Sequence, residues 1–382
     1  MSASPPPAAG GPPAPPRGRT GWLEQRINLT ELFSFLSHFG LVYTPIDTRR
    51  PLREVLDEID STPVAAYARW PQVLGVLAAI LFGLEAVTGL LLAFYYRPTP
   101  EAAFGSTLTI VRDLPFGGLI HQMHLWGAYL LIVVIVVRLI RLFWDGLYRA
   151  PRELVWFAAV ALTWLAMQLD FTGRLLTWDV KSYWAAVRGL EVVWSIPIVG
   201  PILAFLLGGR VMNEDVLIRF YVLHIAVLPL AYAACIYLTV ATLRKVGLSD
   251  PAPRSSGGHT TTFREHRLDL LILTLFLFAG LVTLGRLVPF RFLAVADPYS
   301  TPAGARPPWY MLAAYTVFQH VPGPSWIPGL VMLAVAFGVL LLPLWAPVAP
   351  TAVTERRLRI AGIALLALWL ALVATGLLTG HR

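Results

Sequence analysis

The chain has 382 residues, of which 57% are hydrophobic and 14% charged, with a formal net charge of +8. So little charge on so much apolar sequence excludes a soluble domain of this size, and basic loops facing anionic lipid account for the positive balance without a nucleic-acid partner. A single cysteine, Cys235, excludes a disulfide framework, a CxxC metal site and the CxxCH attachment of a c-type haem, leaving core packing as its expected role.

Residues 1–20 are predicted to be a disordered tail, because 4–18 are mostly Pro, Ala and Gly and lack the apolar block of a signal peptide. Residues 21–70 are expected to form a cytoplasmic amphipathic segment. In it, Trp22, Leu23, Ile27, Leu29, Leu32, Phe33 and Leu36 share one helical face, suited either to the membrane surface or to a partner subunit. Apolar runs near 72–96, 119–143, 154–173, 218–241, 268–290, 326–347 and 358–379 each approach the roughly 20 residues that cross hydrocarbon. The fold class is therefore all-α, a polytopic membrane helix bundle of about seven spans.

Basic clusters fall in alternate loops: Arg149 and Arg152, then Arg244, Lys245, Arg254, Arg264 and Arg267, then Arg356, Arg357 and Arg359. That bias places the N-terminus in the cytoplasm and the C-terminus outside, in an inner (cytoplasmic) membrane. Arg97, Arg112, Lys181, Arg188 and Arg210 are scattered through the other loops, so the bias is a tendency rather than a partition.

His124 lies a few residues into the second run and His224 a few residues into the fourth. Both runs lead inward from the outer face, so the two histidines share a depth. Either alone reads as a satisfied polar residue of a bundle, whereas two at matching depth point to one metal centre, because neutral imidazole is a standard axial ligand of haem iron. Gly89 and Gly173 fall at the same depth on the first and third runs, where they would give a flat cofactor a clear surface or simply let helices pack.

A second cofactor stacked across the bilayer would need ligands about 21 Å further along, fourteen residues by helical rise. Those positions hold Arg138 on the second run and Leu238 or Thr239 on the fourth, none a suitable iron ligand. Ala159 stands fourteen before Gly173, although Gly75 stands fourteen before Gly89. Arg138 is expected to snorkel to the cytoplasmic interface with Arg141, since at mid-bilayer it would cost about 3 kcal/mol.

These residues resemble cytochrome b of the quinol-oxidising bc-type complexes, in particular the plastid-type branch that pairs cytochrome b with a separate subunit IV. The resemblance runs through WLEQRINL (Trp22 to Leu29), FYYRPT (Phe94 to Thr99), APREL (Ala150 to Leu154), TWD (Thr177 to Asp179), SIPIVG (Ser195 to Gly200), RFYVLH (Arg219 to His224) and LRKVGLSDP (Leu243 to Pro251). More weakly, ADPYSTP (Ala296 to Pro302) and PPWY (Pro307 to Tyr310) resemble subunit IV. It implies a four-helix haem domain over 71–250 and a three-helix subunit IV-like domain over 251–382.

It also implies that His124 and His224 are the axial ligands of one haem b on the outer, periplasmic side. Arg138 and Thr239 stand where the inner haem's histidines would be, and Val73 where the plastid branch carries a cysteine for an extra haem. In PPWY, Pro308 occupies the place of an acidic residue that accepts a proton from quinol, a role proline cannot fill.

Glu85 and Asp170 are the candidate substitutes, as intramembrane carboxylates just before Gly89 and Gly173, although Glu85 could instead hydrogen-bond a haem edge or a neighbouring helix. Tyr310, in the same motif as Pro308, is the second candidate catalytic residue. Asp170, Asp179, Lys181 and Glu191 read more readily as surface or loop-anchoring groups, and His320 as either a contact to a partner or a quinone or a plain surface histidine.

Two functions follow. The first is a single-haem electron-transfer subunit of an oligomeric complex, working between quinol or quinone and a Rieske protein or c-type cytochrome, and able to pair with a second cytochrome b. The second is a redox-inactive anchor that keeps the fold and the docking surfaces. A transporter is a third class, without the inverted repeat that would favour it.

Overall fold

The computed structural model describes residues 30, 33–34, 46–61, 63–65, 73–246, 260–347 and 350–379. The tail over 1–20, nearly all of the amphipathic run over 21–40, and Gly247 to His259 lie outside the described residues.

The elements in chain order are α1 (Leu52–Ser61), β1 (Pro63–Ala65), α2 (Val73–Ala93), α3 (Ala103–Arg112), α4 (Gly117–Trp144), α5 (Glu153–Leu176), α6 (Val180–Trp194), α7 (Val199–Leu207) and α8 (Glu214–Val246). There follow β2 (Thr260–Thr262), α9 (Phe263–Leu287), a 3-10 turn at Trp309–Met311, α10 (Leu312–His320), α11 (Trp326–Leu340), α12 (Leu342–Trp345) and α13 (Ala352–Thr379). Helices α2, α4, α5, α8, α9 and α13 are long and apolar enough to cross a membrane, and α11 is a shorter apolar helix. The protein is thus a multi-pass membrane protein of about seven spans, as its apolar runs indicate.

The sixth run breaks early. Its α11 ends at Leu340, and its 15 residues rise about 22 Å, short of the roughly 30 Å of hydrocarbon. Pro343 explains the stop, because its ring cannot accept a continuing helix and it instead opens the short α12.

The core lies between α2, α4, α5 and α8, where Leu81, Ile132, Ile135, Leu162, Tyr232 and Val240 meet. Outward residues of the same helices, such as Leu90, Val133, Trp164 and Leu230, remain exposed, as spans facing lipid require. Polar side chains set the helix starts. Asp179 and Ser182 form a reciprocal box at α6, Asn213 accepts from Val216 N (3.1 Å) at α8, and Thr262 pairs with Glu265 at α9.

Hydrogen bonds stitch the segment after α9 to the bundle. Gln122 exchanges two bonds with the backbone of Phe290 (2.8 Å each), Trp126 donates to the Val288 carbonyl (3.0 Å), and Asp179 accepts from Leu293 N (3.2 Å). The loop-anchoring reading of Asp179 agrees with this geometry. At the opposite end β1 pairs antiparallel with β2, Pro63 facing Thr262, while Arg267 reaches Asp60 (2.9 Å). No periodicity marks this small ribbon.

Candidate functional site

His124 on α4 and His224 on α8 face each other with ring centres 6.1 Å apart and planes at 88°. Two imidazoles holding one metal ion at roughly 2 Å each have ring centres roughly 6 Å apart, so this spacing suits a shared ion.

Local structure fixes both rings. Thr88 Oγ1 donates to the Leu84 carbonyl (2.7 Å) and Thr172 Oγ1 to the Gln168 carbonyl (2.8 Å), the usual back-bonding of a helical threonine. Each hydroxyl has one proton, so towards the histidines it can only accept. The Nδ1–H of His124 points to Thr88 (3.0 Å) and that of His224 to Thr172 (3.2 Å), leaving each Nε2 as the lone-pair nitrogen. Neither threonine stands out alone. The signal that could have found them is the Thr-Gly dipeptide that recurs on α2 and α5, at Thr88–Gly89 and Thr172–Gly173.

The glycines beside them make room for the rings. A Cβ on Gly89 would lie 3.0 Å from His124 Cε1, and one on Gly173 would lie 2.5 Å from His224 Cε1. Their first effect is therefore on the imidazoles, with any clearance for a flat cofactor beyond them. A π-helical turn at Leu223–Val227 carries His224, just before Pro229. The wide turn relieves the clash between the proline ring and the carbonyl four residues earlier. It also adds one residue to the count along α8. Thr239 therefore lies below His224, and Leu238 faces outward, 40% exposed.

Between the rings lies a cavity of about 380 Å³, walled by apolar residues such as Phe82, Leu131 and Leu169 and by Gly89, Gly173 and the two histidines. Buried polar atoms without a protein partner among the described residues belong to the same wall: Glu85 Oε1, Tyr96 Oη and His121 Nδ1. A large, mostly apolar ligand with polar groups at its edge fits such a lining.

Glu85 lies beside the histidine pair. Its Oε2 is 3.0 Å from His124 Nδ1, and Oε1 lies over Gly127, where a Cβ would be 2.0 Å away. Of its two expected roles, the structure shows the contact with a neighbouring helix.

Asp170 is not a surface group. It is 5% exposed, accepts from Arg174 Nε (2.7 Å) and Nη2 (2.9 Å), and accepts from the Tyr310 hydroxyl (2.8 Å). Arg174 also stacks over Tyr129, its Cζ 4.3 Å from the ring centre. Burial, reinforced by the facing Asp170, pushes the Tyr310 phenol well above its ordinary range, so Tyr310 acts as a protonated donor. The Pro-Pro-Trp-Tyr segment is thereby tied to the cavity wall, with Pro308 itself buried. His320 is exposed and bonds through Nδ1 to the Thr316 carbonyl (3.0 Å), as a surface histidine.

Arg138 corrects a second expectation. It does not snorkel: it is 7% exposed and lines a cavity of about 40 Å³ with Gly75, Tyr232 and Thr239. Arg141 does reach the interface side, where it pairs with Asp145 (3.1 Å).

Comparison with known proteins shows the family. Residues 59–247 match the family described as cytochrome b/b6/petB, and residues 295–381 the family described as cytochrome b (C-terminal)/b6/petD. The chain is 40% identical over 179 residues to cytochrome b6 of Heliobacterium modesticaldum, covering 47% of this chain and 84% of that protein. It is 34% identical over 213 residues to cytochrome b6 of Gracilaria tenuistipitata var. liui, covering 56% and 99%. A solved structure titled hyperthermophilic respiratory Complex III aligns with a TM-score of 0.70 at 21% identity, covering 95% of this chain and 100% of that one, which shows a shared fold. The chain belongs to the cytochrome b/b6 family and joins a cytochrome b6-like region and a subunit IV-like region in one polypeptide.

Proposed function

We propose that this chain is the electron-transfer subunit of a cytochrome bc-type membrane complex, holding one haem b between His124 and His224. It would pass electrons between a quinol or quinone and a redox partner on the outer face, a Rieske protein or a c-type cytochrome, with its N-terminus in the cytoplasm. The observation that carries this reading is the facing imidazole pair, 6.1 Å apart, with both Nδ1 atoms tied to threonine. When bound, the haem supplies one-electron chemistry.

The chain's own residues supply the rest. Thr88 and Thr172 set the tautomers, Gly89 and Gly173 leave room for the rings, and Glu85 holds a carboxylate against His124. Glu85 is thus engaged with a ligand, and we read it as a positioning group. Tyr310, bonded to Asp170, fixes the segment that carries Pro308.

The far half of the bundle supports a count of one haem. Its cavity of about 40 Å³ is far smaller than the one of about 380 Å³ at the histidine pair. Without a centre there, electrons stay on the His124 side.

Protohaem counting on the purified protein, with a redox titration, tests the proposal. One haem per chain with a single midpoint potential is expected, and two bis-imidazole centres would refute it. Pro308 favours a second reading, an anchor without redox turnover, for which the haem count is zero.

The threonines give a finer test. Thr172→Val is expected to weaken haem retention about tenfold or more, because His224 Nδ1–H loses its acceptor. Thr88→Val should do less, since Glu85 remains for His124. Haem transfer to an apo-globin acceptor measures both, and equal losses would contradict this ordering.

A further inference from the structure

The carboxylate beside His124 carries an inference that rests on the reading of the histidine pair as the ligands of one haem. Glu85 Oε2 lies 3.0 Å from His124 Nδ1, the same distance as Thr88 Oγ1, so one N–H faces two acceptors. One of them is a hydroxyl and the other a carboxylate. The second oxygen of Glu85, Oε1, is buried and has no hydrogen-bond partner among the described residues, so the imidazole N–H is the donor that this carboxylate has.

Gly127 makes the approach possible. It stands about one turn beyond His124 on α4, and a Cβ there would strike Glu85 Oε1. The wall also leaves this charge uncompensated. Of the acidic and basic side chains other than histidine that line the cavity, Asp170 and Arg174 pair with each other (2.7 Å), and among the described residues Glu85 has no arginine or lysine.

His224 is held differently, because its Nδ1 meets the Thr172 hydroxyl (3.2 Å), a neutral acceptor. An imidazole whose far N–H is accepted by a carboxylate becomes a more basic ligand at the opposite nitrogen than one bonded to a hydroxyl. Negative charge held against a ligand in an apolar wall also favours the more positive of two oxidation states, since charges interact strongly where water is scarce. Both effects have the same sign.

We propose that Glu85 is a positioning residue that sets the midpoint potential of the haem low, acting through the Nδ1–H of His124. Its charged oxygen accepts that bond where Thr88 offers a neutral one, and Gly127 is the space that lets it do so.

Redox titration of the purified full chain, followed by haem absorption, tests this on the natural protein, Glu85→Gln and Gly127→Ala. Glu85→Gln keeps the side-chain length and an amide oxygen for His124 while it removes the charge. It should retain one haem and shift the ferrous-to-ferric ratio at a given potential about tenfold toward ferrous, about 59 mV upward for one electron. Gly127→Ala keeps the charge and pushes the carboxylate off the imidazole, so its potential should rise in the same direction by less. Thr88 still accepts from His124 in both variants, which keeps haem available to the measurement. A purely structural role would change haem retention and leave the potential of the bound haem where it was. Haem held at the natural potential in either variant overturns the proposal and leaves the histidine assignment standing, whereas a natural protein without haem overturns both.

Discussion

Replacing either His124 or His224 with alanine is expected to take the protein from one protohaem per chain to none, with loss of the bis-imidazole absorption and spectroscopic signature. Each ring supplies one of two opposed nitrogens, and the glycines leave only enough room for those rings: Gly173 has 2.5 Å from an added Cβ to His224 Cε1. His121 is the group to watch in the His124→Ala protein. It sits three residues earlier on α4, lines the same cavity, and has a buried Nδ1 with no partner among the described residues. Its ring packs against Phe292, 5.2 Å between centres, which holds it away from the position His124 occupies. Haem content that persists in His124→Ala and disappears only when His121 is also replaced would move the ligand assignment to His121.

The bundle was legible because membrane spans obey a simple rule, that roughly 20 apolar residues must run together, and six of the expected runs meet it as continuous helices. The sixth run shows the limit of the rule, because Pro343 interrupts a stretch whose hydropathy never changes. Histidine depth was legible for the same reason: rise per residue is fixed. What joins one helix to another was not. The Thr88–His124 and Thr172–His224 bonds span 36 and 52 residues, and nothing local to either threonine announces them. Arg138 was misplaced because the cost of burying it was weighed for one helix in lipid, whereas the space that receives it comes from Gly75, Tyr232 and Thr239 on two other helices. Register along α8 was open between Leu238 and Thr239 until the π-helical turn supplied the extra residue, and Pro229 is the sequence feature that explains it. Asp170 likewise read as a surface group, because Arg174 and Tyr310 approach it from one turn away and from 140 residues away.

The Asp170 cluster carries the largest stability effect expected of any single side chain. Asp170→Ala should destabilise the protein by about 3 kcal/mol, because it strands Arg174 in a wall where that side chain is only 18% exposed. Two charge-assisted bonds to Arg174 and one from Tyr310 are lost together, and the cation over Tyr129 keeps its desolvation cost without its partner. Tyr310→Phe should cost about 1.5 kcal/mol, the scale of one hydrogen bond to a charged acceptor, since its other polar neighbour is the Met167 carbonyl at 3.1 Å. The double variant then measures whether the two act as one unit: it should lose little more than Asp170→Ala alone, because the hydroxyl has lost its carboxylate already. Reversible unfolding in mixed micelles gives all three values. An Asp170→Ala loss under about 1 kcal/mol would mean that water reaches the pair and that the carboxylate is not what holds the Pro-Pro-Trp-Tyr segment. Haem content should survive Tyr310→Phe, because the phenol touches neither histidine, and that separates a docking role from a ligand role. If the segment instead took part in quinol chemistry through this hydroxyl, turnover would fall in Tyr310→Phe by far more than its loss of stability explains.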